Sequence, residues 1–182
     1  MIKRIFDIVF ALFLIVALIP LFLVPFLLFF FKTDGNPFFL QERVGQHGDL
    51  FTIYKLQTMK DSKVTSVGSF LRKSKLDELP QLINILKGDM SFVGPRPDVP
   101  GYYDKLEGDD RKVLQLKPGI TSMAAIKYRD EEFILSLQDD PLVYNDKVLF
   151  PDKVRMNLEY LEKQSFWLDV KILWLTALSV IK

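Results

Sequence analysis

The sequence contains no cysteine and a single histidine, His47. That excludes disulfides, thiolate metal sites and a cysteine nucleophile, and it leaves too few ligands for a zinc centre. His47 sits in the Gly-flanked stretch "VGQHGDL", which reads as a solvated turn. Charge of one sign is lacking as well. The 24 Lys and Arg residues face 23 Asp and Glu, so no global field points to nucleic acid. No internal repeat or low-complexity linker is present. At 182 residues the chain is long enough for one domain with a real core, and too short for two comfortable ones.

Phenylalanine, in contrast, is abundant, and much of it lies near the N-terminus. From Ile8 to Phe31, "IVFALFLIVALIPLFLVPFLLFFF" carries no charged or hydrogen-bonding side chain. Such a run reads as a membrane segment, and no small-residue cleavage site follows to make it a signal peptide. Pro20 and Pro25 interrupt it, each removing a helical hydrogen bond. Before Pro20, Ile5 to Ile19 rises only about 22 Å as a helix, against a hydrocarbon core of roughly 30 Å. Lys3 and Arg4 precede the run and Lys32 follows it, so neither side holds a basic excess. Two readings stay open: a helix that breaks near Pro20 and returns, and a Pro-kinked single span. Either way the chain divides into a membrane helix, residues 1–32, and a catalytic or binding domain, residues 33–182.

Within that domain, "PFFLQERVGQHGDLFTIYKLQTM" predicts two short strands around a turn, with Phe51, Ile53, Lys55 and Gln57 on one face. "TSVGSFLRKSK" predicts a short basic helix. In "LPQLINILK", Leu79, Leu82, Ile83 and Leu86 form a helical stripe that Gly88 ends, with Pro80 in the first turn. That places Asp77 and Glu78 at the helix start. A loop-rich stretch follows, and then a helix from about Asn145 to Lys163. The last segment, "SFWLDVKILWLTALSVIK", is apolar but holds Asp169, Lys171 and two tryptophans. It fits an in-plane interfacial helix, with a buried core helix as the alternative. The predicted class is α+β, mostly helical, with an N-terminal membrane helix, a short β-hairpin and interfacial amphipathic helices.

Alone, Asp77 reads as a helix cap and Glu78 as a first-turn acid. Their surroundings add a chemical reading. Arg72, Lys73 and Lys75 lie just upstream, and a helix start favours phosphate. A carboxylate there can attack phosphorus, because aspartate forms acyl-phosphates, and a second carboxylate can hold Mg²⁺. In "GPRP", Pro95 and Pro97 restrict the backbone around Arg96, which suits a guanidinium meant for a phosphate or a base edge. A rigid turn with a solvated arginine is the structural alternative.

Taken together, "KRIFD" before the apolar run, "IYKLQTM", "LRKSKLDELPQLINILKGDMSFVGPRP" and "KPGIT" resemble the small monotopic phosphoglycosyl transferases, or bacterial sugar transferases. The resemblance extends from Lys3 to "SFWLDVKI" and is most specific from Leu76 to Pro97. Lacking an extra polytopic N-terminal half, the sequence looks like the minimal form. The resemblance implies a protein on the cytoplasmic face of the bacterial inner membrane, anchored by a re-entrant helix broken at Pro20. It implies transfer of a sugar phosphate from a UDP-sugar to undecaprenyl phosphate, with release of UMP. This would be the first membrane step of O-antigen, capsule, exopolysaccharide or glycoprotein assembly. Asp77 and Glu78 match the catalytic dyad, with Asp77 the nucleophile and Glu78 a ligand of the Mg²⁺ cofactor. Pro95, Arg96 and Pro97 match an active-site motif; Lys55 and Arg72 match basic positions near the phosphates, and Arg43 and Arg129 match other basic positions. Arg4 and Asp7 match a polar pair at the base of the membrane helix.

The sequence also departs from that pattern. Ile19 stands where relatives often have serine, Gln57 replaces a basic residue, "PGITSMAAIKYR" replaces "PGITGWAQVNGR", and Asn157 replaces a frequent aspartate. None touches the dyad; the last two bear on which sugar is taken. Two other classes compete with the resemblance. One is a signal-anchored, non-catalytic periplasmic binding protein, and the other a metal-dependent hydrolase of lipid-linked phosphates.

Overall fold

A computed structural model describes the backbone of residues 2–32, 37–60 and 63–181, and the side chains of 2–18, 37–60 and 63–179. The class is α+β, mostly helical with three two-stranded sheets among the described residues. The chain forms two compact units: Met1–Arg43 with Leu50–Ser91, and Val44–Asp49 with Phe92–Lys182.

The first unit begins with α1, Ile2–Lys32, whose helical assignment continues through Pro20 and Pro25. Proline bends a helix without always ending it, because neighbouring turns keep their own hydrogen bonds. The expected break at Pro20 therefore does not interrupt the secondary structure, and the side chains around it lie outside the described residues. Among the described residues no helix is long and apolar enough to cross a membrane. At its N-terminal end α1 is divided by burial. Asp7 and Ala11 are buried, while Ile5, Val9, Leu12, Phe13 and Val16 are exposed.

The two predicted strands are present as β1, Phe38–Val44, and β2, Leu50–Leu56, paired in one sheet. Gln57 N donates to Pro37 O at 2.8 Å and closes the open end of the hairpin. Two-residue strands β3, Met59–Lys60, and β4, Lys63–Val64, then lead into α2, Ser66–Lys73. Thr65 caps α2, its hydroxyl accepting from Gly68 N at 2.9 Å; such caps contribute about 1 kcal/mol. Gly68 has no room for a side chain, since a Cβ would lie 2.0 Å from Thr58 O. The glycine lets the helix press onto the chain that leaves β2.

Helix α3, Gln81–Lys87, ends at Gly88, whose φ of 99° is the left-handed cap expected there. Its buried face consists of Gln81, Leu82, Asn84 and Ile85, and Ile83 is exposed. The predicted stripe through Leu79, Leu82, Ile83 and Leu86 is thus rotated. The cause is Asn84, fully buried against β2: its Nδ2 donates to Thr52 O at 2.7 Å, and its Oδ1 accepts from Tyr54 N at 3.2 Å. A buried amide satisfied on both ends holds one rotation of the helix over any other. Arg4 ties the other end of the unit together. Its guanidinium donates to Ile85 O and, at 2.9 Å, to Leu86 O, a cation at the C-terminal carbonyls of α3. The N-terminal end of α1 is thereby fastened to the helix that follows the acid pair.

The second unit is entered along β5, Ser91–Val93, and contains β6, Gly119–Thr121. Gly94 N donates to Thr121 O and Gly119 N to Pro95 O, at 3.0 and 2.8 Å. The two glycines meet backbone to backbone: a Cβ on Gly119 would lie 2.1 Å from Gly94 N, and one on Gly94 2.1 Å from Lys117 O. Short helices follow: α4, Met123–Lys127, α5, Glu131–Ser136, and α6, Pro141–Tyr144. The predicted helix near Asn145–Lys163 is a π-turn, Asn145–Leu149, running into α7, Phe150–Lys163. Last comes α8, Phe166–Ile181. Its Ile172 and Asp169 are buried, with Asp169 accepting a short hydrogen bond from Tyr160 of α7, while Trp167 and Trp174 are exposed. The last helix therefore has both a packed face and an open aromatic one.

Candidate active site

Asp77 and Glu78 are not in the first turn of α3, as the sequence predicts, but in a separate 3-10 turn, Leu76–Glu78. The difference has two causes. Pro80, with φ −60°, stands as the N-cap of α3, so that helix proper begins at Gln81. Lys75 adopts φ 58° and ψ 16°, the left-handed region, and reverses the chain after α2. For a residue with a Cβ that conformation costs roughly 1–2 kcal/mol. It delivers the acid pair as a tight turn between two helices.

Both acids are buried, at 8 % and 7 % relative exposure. Lys55, projecting from β2, places Nζ 3.5 Å from Glu78 Oε1. Asp77 Oδ1 is buried without a hydrogen-bond partner among the described residues. Burial first, and the Glu78 carboxylate second, push the Asp77 carboxyl above its ordinary 3.8, while Lys55 and Lys75 pull it back. A native structure seldom leaves a buried carboxylate oxygen unsatisfied, and such an atom calls for a functional reason. Arg72, at the end of α2, donates from Nε to Thr58 Oγ1 at 2.9 Å, just past β2. The first unit thus brings together Asp77, Glu78 and Lys55, and anchors Arg72 to Thr58. Arg43 instead donates from Nη2 to Gln41 Oε1 at 2.6 Å, on its own strand.

Pro95, Arg96, Pro97 and Arg129 belong to the second unit. Pro95 is buried, Pro97 half-buried and Arg96 exposed. The Gly94–Gly119 contact fixes the entry to this loop, and Val44 N donating to Asp98 O at 3.0 Å fixes its exit. Beneath it lies a cavity of about 10 Å³ lined in part by Pro95, Arg96, Pro97 and Tyr103. Asn157 donates to the Tyr103 hydroxyl at 3.1 Å, and both are buried, a neutral pair. Arg129 is exposed and has no ion pair among the described residues. Beside it in the sequence, Lys127 and Tyr128 both bind Asp152, at 2.6 and 2.7 Å. His47 is an exposed turn residue with φ 61°.

Some supporting residues leave no chemical signature in the sequence. Thr58 holds Arg72, Asn84 holds α3 on β2, and Gly68, Gly94 and Gly119 permit close backbone approach. Only the glycines carry a signal, since they interrupt otherwise regular segments.

The model of the bacterial sugar transferase family matches residues 1–182. Among similar proteins, an uncharacterized sugar transferase, EpsL, of Bacillus subtilis is 34% identical over 98% of this chain and 87% of its own length. The galactosyl transferase CpsE of Streptococcus agalactiae is 33% identical over 98% of this chain. A UDP-glucose:undecaprenyl-phosphate glucose-1-phosphate transferase of Escherichia coli is 34% identical over 97%. The chain spans 42% and 39% of the length of these last two relatives. The chain belongs to the bacterial sugar transferase family.

The raised Asp77 carboxyl has a consequence for stability. The folded state holds this proton more tightly than the unfolded chain, so stability falls as pH rises from 3.8 through the folded value. Without divalent cation, Asp77→Asn should melt at a higher temperature than the wild type at pH 7. The difference should shrink towards pH 4. Thermal melts of the detergent-solubilised full chain across that range check both signs; an Asn variant less stable at pH 7 would contradict the reading.

Proposed function

We propose that the chain transfers a sugar 1-phosphate from a UDP-sugar to undecaprenyl phosphate and releases UMP, by way of a covalent aspartyl-phosphosugar. The observation that carries this reading is the buried Asp77 oxygen with no partner among the described residues, beside Glu78 and within the field of Lys55. The name of the Escherichia coli relative supplies the substrate pair, and the family match supports the reaction class.

In the first step an Asp77 oxygen attacks the phosphorus that bears the sugar. A P–O bond to that oxygen forms, the P–O bond to UMP breaks, and its electron pair leaves on UMP. In the second step an oxygen of undecaprenyl phosphate attacks the same phosphorus. The bond to Asp77 breaks, the carboxylate is regenerated, and undecaprenyl-diphospho-sugar is released. Burial strips water from the nucleophile and keeps the acyl-phosphate from hydrolysis. Lys55 supplies positive charge beside the acid pair, and in this reading Arg72, Arg96 and Arg129 are guanidinium groups for phosphate oxygens.

The residues present fit a magnesium ion. Adjacent carboxylates are hard oxygen donors, and among the described residues no group of three or more acidic or histidine side chains forms a dedicated cage. One or two carboxylates completed by substrate phosphates is the usual arrangement for Mg²⁺. Glu78 would hold the ion, which when bound neutralises diphosphate charge.

A membrane is the natural setting for this chemistry. Exposed Ile5, Val9, Phe13 and Val16 on α1 and exposed Trp167 and Trp174 on α8 form apolar faces suited to lipid. With Arg4 holding the base of α1 to α3, we read the helix as re-entrant and the domain from residue 33 as cytoplasmic.

Two experiments test this reading. With Mg²⁺ and UDP-sugar but no lipid acceptor, the protein should release up to one equivalent of UMP and gain one phosphosugar, mapped to Asp77. Asp77→Asn should fold and lose at least about 10³-fold in rate; near wild-type turnover by that variant would remove Asp77 as nucleophile. For topology, Lys3→Cys and Lys63→Cys should both escape an impermeant thiol reagent in intact cells and react after lysis. Labelling of Lys3→Cys alone from outside would establish a single span.

A further inference from the structure

The acid pair poses a charge problem, and Lys55 stands against it. Asp77 and Glu78 are consecutive, both more than nine-tenths buried, and one Asp77 oxygen has no partner among the described residues. Two adjacent carboxylates repel and have lost most of their hydration. Lys55 is a cation brought against them: its side chain retains 19% exposure and reaches Glu78 Oε1 at 3.5 Å. That distance is longer than a tight ammonium–carboxylate hydrogen bond of about 2.8 Å. The contact is thus a long one, made from a flexible stem that can re-aim the ammonium.

We propose that Lys55 is the resident counter-ion of the acid pair in the cation-free protein, and that a divalent cation takes Glu78 from it. This rests on the reading of Glu78 as a cation ligand. A carboxylate at 3.5 Å from an ammonium cannot give its full charge to a second cation, so the two compete for it. Displaced from Glu78, Lys55 remains on β2 within the field of Asp77 and is free to meet an incoming phosphate. The protein would be protected from a bare buried acid pair before the cation arrives. The same residue would then change partner from carboxylate to substrate. Lys55 is on this view a positioning residue for charge, set by the hairpin that carries it.

The test is binding, with no turnover required. Mn²⁺ is titrated into the full-length protein in detergent and free Mn²⁺ is followed by electron paramagnetic resonance; melting temperature is recorded with and without the ion. Wild type should bind Mn²⁺ and melt higher with it. Lys55→Met should melt lower than wild type without the ion, bind Mn²⁺ roughly tenfold more tightly, and gain more on binding, as expected when a charge near a carboxylate is removed. Lys55→Gln, similar in length and hydrogen-bonding, should do the same if Lys55→Met fails to fold. Glu78→Gln should abolish the tightening in either background. Unchanged or weaker Mn²⁺ binding by both lysine variants, with wild type still binding, overturns the competition. No Mn²⁺ binding by wild type overturns instead the assignment of Glu78 as a cation ligand.

Discussion

Burying two consecutive carboxylates is the constraint around which the first unit is arranged. Left alone in a low-dielectric turn, Asp77 and Glu78 would protonate or unfold the segment that carries them. The chain answers with position. The left-handed Lys75 and the cap at Pro80 isolate the acids in their own turn, and β2 brings Lys55 to Glu78. Asn84 fixes α3 against the same strand, and Arg4 fixes α1 to the end of α3. Each of these contacts holds the turn that precedes α3, or the strand opposite it, in one geometry. What remains is an acid with one oxygen unpartnered among the described residues and a carboxyl raised above its ordinary value, the group that the proposed reaction uses on phosphorus.

The second unit uses a different device for its charge. Arg96 is exposed, yet the backbone beneath it is tightly constrained. Gly94 and Gly119 touch with no space for a methyl, and the carbonyls of Pro95 and Asp98 are both taken by backbone donors. Two prolines then limit what freedom is left around the arginine. Tyr103, paired with Asn157, closes the cavity under the loop. The loop backbone that carries the guanidinium is thus already ordered.

Much of this was legible in the sequence, for reasons that differ by element. The hairpin, α2, α7 and α8 announce themselves through alternation, caps and apolar spacing, and the acid pair and "GPRP" through residue types that are chemically costly to place together. What escaped depends on tertiary contacts. Nothing local makes Lys75 left-handed, so the acid pair read as the start of α3. Asn84 looks like a solvated helix residue until β2 is beside it, and the stripe rotated accordingly, leaving Ile83 exposed. Helices α5 and α6 are too short to show a period. Gly94 and Gly119 lie far apart in sequence, and their mutual contact has no one-dimensional trace.

Everything in the proposed chemistry turns on the phosphosugar passing through Asp77 rather than directly from nucleotide to lipid. Stereochemistry at phosphorus tests this most directly, because each in-line displacement inverts the centre. A UDP-sugar made chiral at the sugar-bearing phosphorus by an isotopically labelled thiophosphate would be converted to lipid product and its configuration read. Two displacements through Asp77 predict net retention. Net inversion would mean a single direct transfer, and Asp77 would lose its role as carrier.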